Sequence, residues 1–257
     1  MQNYKRNPNC ECSQYKDIDT LSSKERYTIK EYWMRGFIYK DNSSKECSCH
    51  KRYRLTGRYN RLAKRNGLLN YDTLKDYKYL GDNNSYEKLK KIPDIVEKNK
   101  LKNVLIFVNG PENCQKTTSI SKIIYNLIVE EKSVNYIDFI NLIDSFINKD
   151  ENLNKTLDTD WLVIDNCFEG ETINFKTSYN SFYNIILKRQ QPIILASNLT
   201  KEDLLSSKGQ QLPSYNEDML NRMFNKIEKY NTNITFTENI DKLLAIGNSK
   251  QIDIWTL

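Results

Sequence analysis

The chain of 257 residues contains no long apolar run. Its longest ones, such as Val104–Val108 and Ile193–Ala196, are far shorter than the roughly 20 apolar residues that a membrane-spanning helix needs. We expect no secretory signal peptide in residues 1–12, because they are polar and Lys5 and Arg6 precede no apolar stretch. Internal repeats and low-complexity linkers are absent as well. These absences predict a globular cytoplasmic protein with no membrane partner.

Acidic side chains are scarce in the first part of the chain. Residues 1–100 hold 23 Lys and Arg against 13 Asp and Glu, whereas residues 101–257 hold 16 against 20. The change falls near Pro93–Lys102, where a lysine-rich stretch leads into the first strongly apolar run. We therefore predict two domains, which comprise residues 1–98 and residues 99–257.

A phosphate-binding loop is the motif that carries most of the chemistry. The apolar run Leu101–Gly110 predicts a buried parallel strand, and Ser119–Ile128 places apolar residues at helical spacing. Strand, loop and helix follow one another as a Walker A motif requires. Backbone N–H groups and the dipole at the start of such a helix attract anions. The residues predicted to bind ATP here are Gly110, Pro111, Glu112, Asn113, Cys114, Gln115, Lys116, Thr117 and Thr118.

Two side chains of this loop have individual roles, and a third departs from the motif. Lys116 is expected to reach the β- and γ-phosphates of ATP, and the Thr117 hydroxyl is expected to ligate Mg²⁺. The motif has glycine directly before the lysine, where this chain has Gln115. Because glycine lets the backbone approach the phosphates without a Cβ, Gln115 is expected to lower the affinity or to reshape the loop.

A second apolar strand ends in a carboxylate. The run Trp161–Ile164 leads into Asp165, 49 residues after Lys116, which is the Walker B pattern for a Mg²⁺ site. The alternative interpretation is an aspartate that caps a turn after a strand. The next residue in ATPases is often an acid that activates the attacking water, but here it is Asn166, which cannot accept a proton. Glu169 is near enough in sequence to replace it.

Two more polar residues complete the predicted catalytic set. The apolar run Gln191–Thr200 predicts a third strand, whose tip carries Asn198 where a sensor would contact the γ-phosphate. Arg222 follows 24 residues later in the predicted helix Glu217–Phe224, either as an arginine finger or as a solvated charge. The predicted catalytic residues are Lys116, Asp165, Asn198 and Arg222.

Four of the six cysteines form two Cys-x-Cys pairs. Cys10 and Cys12 make the first pair, Cys47 and Cys49 the second, and the only histidine, His50, adjoins the second pair. Two such pairs can build a tetrahedral thiolate site for zinc, with His50 as the alternative ligand. Disulfides and free surface thiols are the other interpretations, and a reducing cytoplasm disfavours the first.

A basic stripe follows the second cysteine pair. No acidic residue occurs between His50 and Asn70, and basic residues recur there at helical spacing. Such a stripe serves solvation, the phosphates of single-stranded DNA, or an acidic protein surface, and the sequence does not choose between the last two. The stripe consists of Arg54, Arg58, Arg61 and Arg65. The aromatic residues of Tyr27–Tyr39 are interpreted as the core of the small first domain.

The order and approximate spacing of these motifs resemble the AAA+ helicase loaders of bacteria and their phages, the DnaC/DnaI type. The quoted elements are the loop Gly110–Thr117, the strand WLVIDN, the strand IILASN and the helix segment LNRMF. The segment Cys47–Leu68 is similar to the basic helix that joins a loader's zinc module to its ATPase. Transposition helper ATPases of the IstB type share the same core.

The resemblance implies an α/β AAA+ domain with a central parallel sheet, preceded by a small, zinc-binding, mostly helical domain. It implies an ATPase that loads a hexameric replicative helicase onto single-stranded DNA during DNA replication. It also implies self-association through the ATP site as a hexamer or spiral, with Arg222 completing a neighbour's site. A small-molecule P-loop kinase is the alternative of a different class, but such kinases usually carry a lid with catalytic arginines. After Asn231 the chain suffices for one or two closing strands and a short helix.

Overall fold

The computed structural model describes residues 7–41, 43–76, 83–151, 153–168, 176–206 and 216–236. The chain divides into two compact units between Arg61 and Leu62. None of the helices in these described ranges is long and apolar enough to cross a membrane.

The first unit contains a four-stranded sheet in the order β1-β2-β3-β4. Strands β1 and β2 are parallel, and the other two pairs are antiparallel. The elements are short 3-10 helices at Glu11–Gln14 and Ile18–Thr20, with β1 (Lys16–Asp17), α1 (Ser23–Thr28), β2 (Tyr32–Met34), β3 (Phe37–Lys40) and β4 (Ser43–Glu46). Helix α2 (Ser48–Asn66) begins in this unit and ends in the next.

Within residues 1–98 the helices cover more residues than the strands, and a hairpin organises the part that precedes α2. Arg35 and Gly36 both have positive φ, at 47° and 98°, which is the two-residue turn that matches the twist of antiparallel strands. The turn pairs Met34 with Phe37. Glycine is also required at position 36 by space, since a Cβ there would lie 2.1 Å from Cγ of His50.

The second unit is a five-stranded parallel sheet in the order β6-β7-β8-β5-β9. The predicted α/β fold with a central parallel sheet is therefore confirmed. Its strands are β5 (Leu105–Asn109), β6 (Val134–Asp138), β7 (Trp161–Asp165), β8 (Ile193–Ser197) and β9 (Asn233–Thr235). Its helices are α3 (Tyr71–Lys75), α4 (Asn83–Lys98), α5 (Lys116–Val129), α6 (Phe139–Ile147), α7 (Leu153–Leu157), α8 (Lys176–Lys188), α9 (Lys201–Leu205) and α10 (Glu217–Lys229).

Burial explains why the three central strands read as continuous apolar runs. All five residues of β5, of β7 and of β8 are buried, as expected for strands of a parallel sheet that has helices on both faces. Phe107 of β5 meets Phe224 of α10 edge to face, with ring centroids 5.6 Å apart. This contact packs α10 against β5.

Helices α3 and α4 pack with the second unit. Helix α4 contacts α5 and β9, and its Leu89 and Val96 are buried. The hydroxyl of Ser85 donates a hydrogen bond of 2.8 Å to the carbonyl oxygen of Thr235. The predicted domain boundary after residue 98 stays a prediction, and the second compact unit begins at Leu62. Strand β9 is one of the predicted closing strands, and the chain beyond Phe236 lies outside the described residues.

Candidate nucleotide-binding and metal sites

The predicted nucleotide-binding residues meet at the carboxyl edge of the parallel sheet. Strand β8 pairs with both β5 and β7, so the ends of these three strands lie side by side. Ligands of open α/β sheets bind at this edge, outside the carboxyl ends of the strands. The loop after β5 leads directly into α5, so that the start of this helix faces the same edge.

The loop before α5 contains three backbone positions with positive φ, which are Gly110, Asn113 and Gln115. Gly110 has φ +148°, and a Cβ there would lie 2.2 Å from the carbonyl oxygen of Phe236. Gln115 has φ 64° and ψ 23°, the left-handed conformation, at the N-cap of α5. This conformation costs a residue with a side chain about 1 kcal/mol, which glycine does not incur. The departure at Gln115 therefore falls at a position where glycine fits better.

Lys116 is buried, and its ammonium group is held by oxygen atoms. Its Nζ donates hydrogen bonds of 2.8 Å to the carbonyl oxygens of Gly110 and Pro111. A third bond of 2.7 Å reaches Oδ1 of Asn198, which lies at the tip of β8. The structure thus brings together two predicted catalytic residues that are 82 positions apart in the sequence. A phosphate that binds at the start of α5 would meet this ammonium directly.

A second contact in the site joins α5 to β7. The hydroxyl of Thr117 donates a hydrogen bond of 2.9 Å to Oδ2 of Asp165, whose side chain is buried. A hydroxyl and a carboxylate are oxygen ligands of the kind that Mg²⁺ prefers in phosphate sites. The two side chains present therefore fit the predicted Mg²⁺ site.

Tyr136 is a site residue that the sequence analysis missed. Its hydroxyl donates a hydrogen bond of 2.7 Å to the same oxygen, Oδ2 of Asp165. Burial raises the pKa of Tyr136 far above its ordinary value, and the negative charge of Asp165 raises it further. The phenol therefore stays protonated and remains a donor. The sequence indicated only that Tyr136 lies in a strand. It could not indicate that this strand, β6, pairs with β7, because strand order depends on the topology of the whole sheet.

Asn166 and Asp138 form a third junction. Asn166 has φ 56°, and its backbone N–H donates to Oδ1 of Asp165 over 2.9 Å. Its side-chain Nδ2 donates to Oδ2 of Asp138 over 2.7 Å. Asp138 ends β6, in register with Asp165 of β7. Glu169, the acid proposed from sequence to replace the missing base, lies outside the described residues.

Arg222 is not part of this cluster. It lies on α10 with 61% of its side chain exposed, and its Nη2 is 3.0 Å from Oδ2 of Asp218 one turn earlier. An exposed ion pair of this kind contributes little to stability. The Arg222 guanidinium is therefore open to solvent.

The four predicted zinc ligands come together in the first unit. The sulfur atoms of Cys10, Cys12, Cys47 and Cys49 all lie within 4.8 Å of one another. Those of Cys12 and Cys47 are 3.5 and 3.4 Å from that of Cys49. A tetrahedral zinc–thiolate site with bonds of about 2.3 Å has sulfur atoms about 3.8 Å apart. The arrangement fits zinc.

The electrostatics of one thiol also suit a metal ligand. Burial alone would raise the pKa of Cys10, but hydrogen bonds from the backbone of Cys12, from Ser48 and from Cys49 outweigh it and lower the pKa to about 6. The thiolate is the form that binds metal. The apolar core around these residues is small, with Trp33 and Ile38 as its buried members besides cysteine.

His50, the alternative zinc ligand, lies outside the group of four sulfurs. Its Nδ1 is 2.8 Å from Oε1 of Glu46. Arg54 binds the same carboxylate with two nitrogens, at 3.0 and 2.9 Å. Arg54, followed by His50, holds the pKa of Glu46 below its ordinary value.

The basic stripe on α2 is thus partly neutralised within the unit. Arg54 is engaged by Glu46, whereas Arg61 and Arg65 are exposed. Leu55 and Tyr59 are buried, so the helix has one packed side and one polar side.

Comparison with known proteins gives likenesses at the level of solved structures only. No protein-family model matches the chain, and no curated protein matches it. The AMPPCP-bound DnaA of Aquifex aeolicus shares 17% identity over 63% of this chain and 49% of its own, with a TM-score of 0.46. A structure of DnaI shares 14% identity over 64% of this chain and 87% of its own, with a TM-score of 0.48.

A structure of the DnaC helicase loader shares 15% identity over 63% of this chain and 95% of its own, with a TM-score of 0.43. The matched part of this chain spans about half the length of the DnaA structure. Likenesses at this level do not identify a function.

Proposed function

We propose that the second unit binds ATP with Mg²⁺ and hydrolyses it. The observation that carries this proposal is the pair of contacts at the start of α5, in which Lys116 meets Asn198 and Thr117 meets Asp165. Four side chains from three separate segments converge where a helix N-terminus attracts anions. A loop with a purely structural role would not require a buried lysine at that edge of the sheet.

Each residue then has a definite task. The N–H groups at the start of α5 hold the phosphates, and Lys116 exchanges its loop carbonyls for phosphate oxygens. Thr117 and Asp165 hold Mg²⁺, which neutralises charge on the transferred phosphoryl group. Asn198 keeps the Lys116 ammonium in place and orients groups next to the γ-phosphate.

We propose further that ATP binding drives the loading of a hexameric replicative helicase onto single-stranded DNA. The support is the order of the motifs along the chain, together with the cysteine pairs and basic helix that precede them. In this role copies of the chain assemble through the ATP site, as a hexamer or spiral. Arg222 then reaches the γ-phosphate held by the next molecule.

The first unit takes one zinc ion in this proposal. Cys10, Cys12, Cys47 and Cys49 supply the thiolates, and the metal compensates for a core too small to fold on apolar burial alone. His50 is retained by Glu46 and serves the fold rather than the metal.

The experiment compares ATP binding by calorimetry in the parent and in Lys116→Ala. We expect the variant to lose ATP binding and to keep its fold. Lys122→Ala, on the same helix but away from the loop, is the matched control and should bind normally. Unchanged affinity in Lys116→Ala would contradict the nucleotide site.

The loader role is tested separately by affinity purification of the tagged protein. Recovery of a hexameric replicative helicase supports it. Recovery of a transposase, together with long filaments on duplex DNA, would instead identify a transposition helper ATPase of the IstB type.

A further inference from the structure

The proposed ATPase lacks a base at the usual place, because Asn166 follows Asp165. A carboxylate nevertheless lies within hydrogen-bonding distance of that asparagine. Oδ2 of Asp138 accepts a hydrogen bond of 2.7 Å from Nδ2 of Asn166. The usual position is thus occupied by an amide that holds an acid from the neighbouring strand.

We propose that Asp138 is the general base that activates water for ATP hydrolysis, and that Asn166 orients it. This inference rests on the proposed ATPase function. Asp138 and Asp165 are register partners at the ends of the parallel strands β6 and β7, so their side chains leave the same face of the sheet. Tyr136, two residues earlier on that face, contacts the Asp165 carboxylate. Asp138 therefore adjoins the predicted Mg²⁺ site.

The carboxylate of Asp138 has room for a water molecule. Oδ1 accepts a hydrogen bond of 2.9 Å from the backbone N–H of Ile140, and this bond caps the start of α6. Oδ2 accepts the hydrogen bond from Asn166. Each carboxylate oxygen has two acceptor sites, so each keeps one for water. The residue is also partly exposed, so water reaches it without any rearrangement of the core.

The other carboxylate of the site is engaged elsewhere. Asp165 accepts hydrogen bonds from Thr117, Tyr136 and the backbone of Asn166, and it is the predicted Mg²⁺ ligand. Glu112 lies in the loop itself and is exposed. Among the described acidic residues near the end of β7, Asp138 is the one whose carboxylate is held by a side-chain amide, that of Asn166.

The step balances without any other reactant. The water oxygen forms a bond to the γ-phosphorus as the bond from that phosphorus to the β,γ-bridging oxygen breaks. The water proton passes to the Asp138 carboxylate, and ADP leaves with the bridging oxygen. Asp138 then returns the proton to solvent or to the released phosphate.

The decisive variant is Asp138→Asn. Asparagine caps a helix as well as aspartate does, so α6 should be retained. We expect nucleotide affinity within about twofold of the parent, a difference of about 0.4 kcal/mol. Loss of a general base should lower the hydrolysis rate by about 100-fold or more. Chromatography of the bound nucleotide should then find ATP where the parent holds mostly ADP. Asp144→Asn, an exposed aspartate on the same helix, is the control for loss of one charge.

A second variant separates a base from a merely structural residue. The double variant Asp138→Asn/Asn166→Asp exchanges the two side chains and returns a carboxylate to this junction. Both residue types tolerate the left-handed backbone found at position 166. We expect it to recover a measurable part of the lost rate.

Several results would overturn the inference while leaving nucleotide binding intact. They are full turnover in Asp138→Asn, turnover that depends on Glu169 alone, no recovery in the exchanged variant, and a parent that binds ATP on single-stranded DNA without hydrolysing it. Loss of ATP binding in Asp138→Asn would also overturn it. A parent that fails to bind ATP at all would instead refute the proposed function.

Discussion

The carbonyl oxygen of Phe236 occupies the space beside Gly110 where any other residue would place its Cβ. The two atoms would be 2.2 Å apart, and Phe236 is itself fixed by a hydrogen bond of 2.7 Å from its N–H to the carbonyl oxygen of Asn109. The residue after β9 is therefore in close contact with Gly110, the first residue of the predicted phosphate-binding loop. The loop proposed to bind nucleotide and the chain directly after β9 are therefore in close contact at this point.

Gly110→Ala should therefore destabilise the protein by about 3 kcal/mol, since the new methyl group meets backbone rather than a flexible side chain. Urea denaturation measures the free energy of unfolding. Gly67→Ala is the control, because Gly67 also has positive φ, at +68°, but a methyl group there would meet no atom of the described residues within 4 Å. That change should cost only about 1 kcal/mol. Equal losses in both variants would contradict the close approach of Phe236.

Asn198→Asp should weaken ATP binding. The new carboxylate would pair with Lys116 over the 2.7 Å that now separates Nζ from the amide oxygen, and it would repel the γ-phosphate. We expect an affinity at least about tenfold lower, equivalent to about 1.4 kcal/mol, by calorimetry with ATP. ADP, which lacks the γ-phosphate, should be affected less. Equal effects on both nucleotides would place Asn198 away from the γ-phosphate.

Tyr136→Phe should change the dependence of stability on alkaline pH. In the unfolded chain the phenol loses its proton near its ordinary pKa of 10.0, whereas burial and Asp165 keep it protonated in the native protein. Unfolding above about pH 10 therefore releases a proton, and the parent should lose about 1.4 kcal/mol of stability per pH unit there.

The variant lacks this group, so the stability difference between parent and variant should shrink as pH rises above about 10. At neutral pH the variant should be about 2 kcal/mol less stable, because Asp165 loses a donor. Chemical denaturation at several pH values measures both effects. A difference that stays constant with pH would show that the phenol ionises in the native state as well.

Zinc should be present at close to one ion per chain in protein purified without chelator. Cys47→Ser removes a buried sulfur from the cluster, so we expect loss of the metal and unfolding of the first unit. ATP binding should survive, because the nucleotide site lies in the second unit. Cys167→Ser, a buried cysteine outside the cluster, should keep its zinc. Absence of metal from the parent would contradict the site.

Arg222→Ala should bind ATP nearly as the parent does but fail to hydrolyse it in the assembled state. Its exposed guanidinium contacts only Asp218 among the ion pairs of the described residues, so its removal should not disturb the fold. An arginine finger supplied by a neighbour accelerates hydrolysis by about 10³-fold or more.

Mixing Arg222→Ala with Lys116→Ala protein checks the geometry, because each variant keeps the half-site that the other lacks. Some activity should return in the mixture. Normal assembly and turnover by Arg222→Ala alone would show that Arg222 is a surface charge.

The amino-acid sequence determined the features that depend on neighbours along the chain. The apolar runs before Gly110 and before Asp165 predicted buried parallel strands, and helical spacing after Thr118 predicted α5. Because every parallel strand ends at the same edge, the polar residues at three strand tips could be assigned to one site from the sequence. The pairing of Cys-x-Cys motifs likewise predicted a four-sulfur cluster.

Only the tertiary structure decided which strands are neighbours. The placement of β6 beside β7 brings Tyr136 and Asp138 to Asp165, and nothing local in the sequence marks either residue for that site. The hairpin at Arg35 and Gly36 was not predicted from the sequence, because its pairing partners follow from the register of β2 and β3.

The same holds for contacts between distant segments. Phe236 reaches Gly110, Glu46 neutralises Arg54, and α4 joins the sheet unit although its charge resembles that of the first unit. Periodicity reports which side of an element is buried, but not what covers it. Which segment covers a buried side depends on packing between segments that are distant in the sequence. This packing involves many residues together, so no single position in the sequence indicates it.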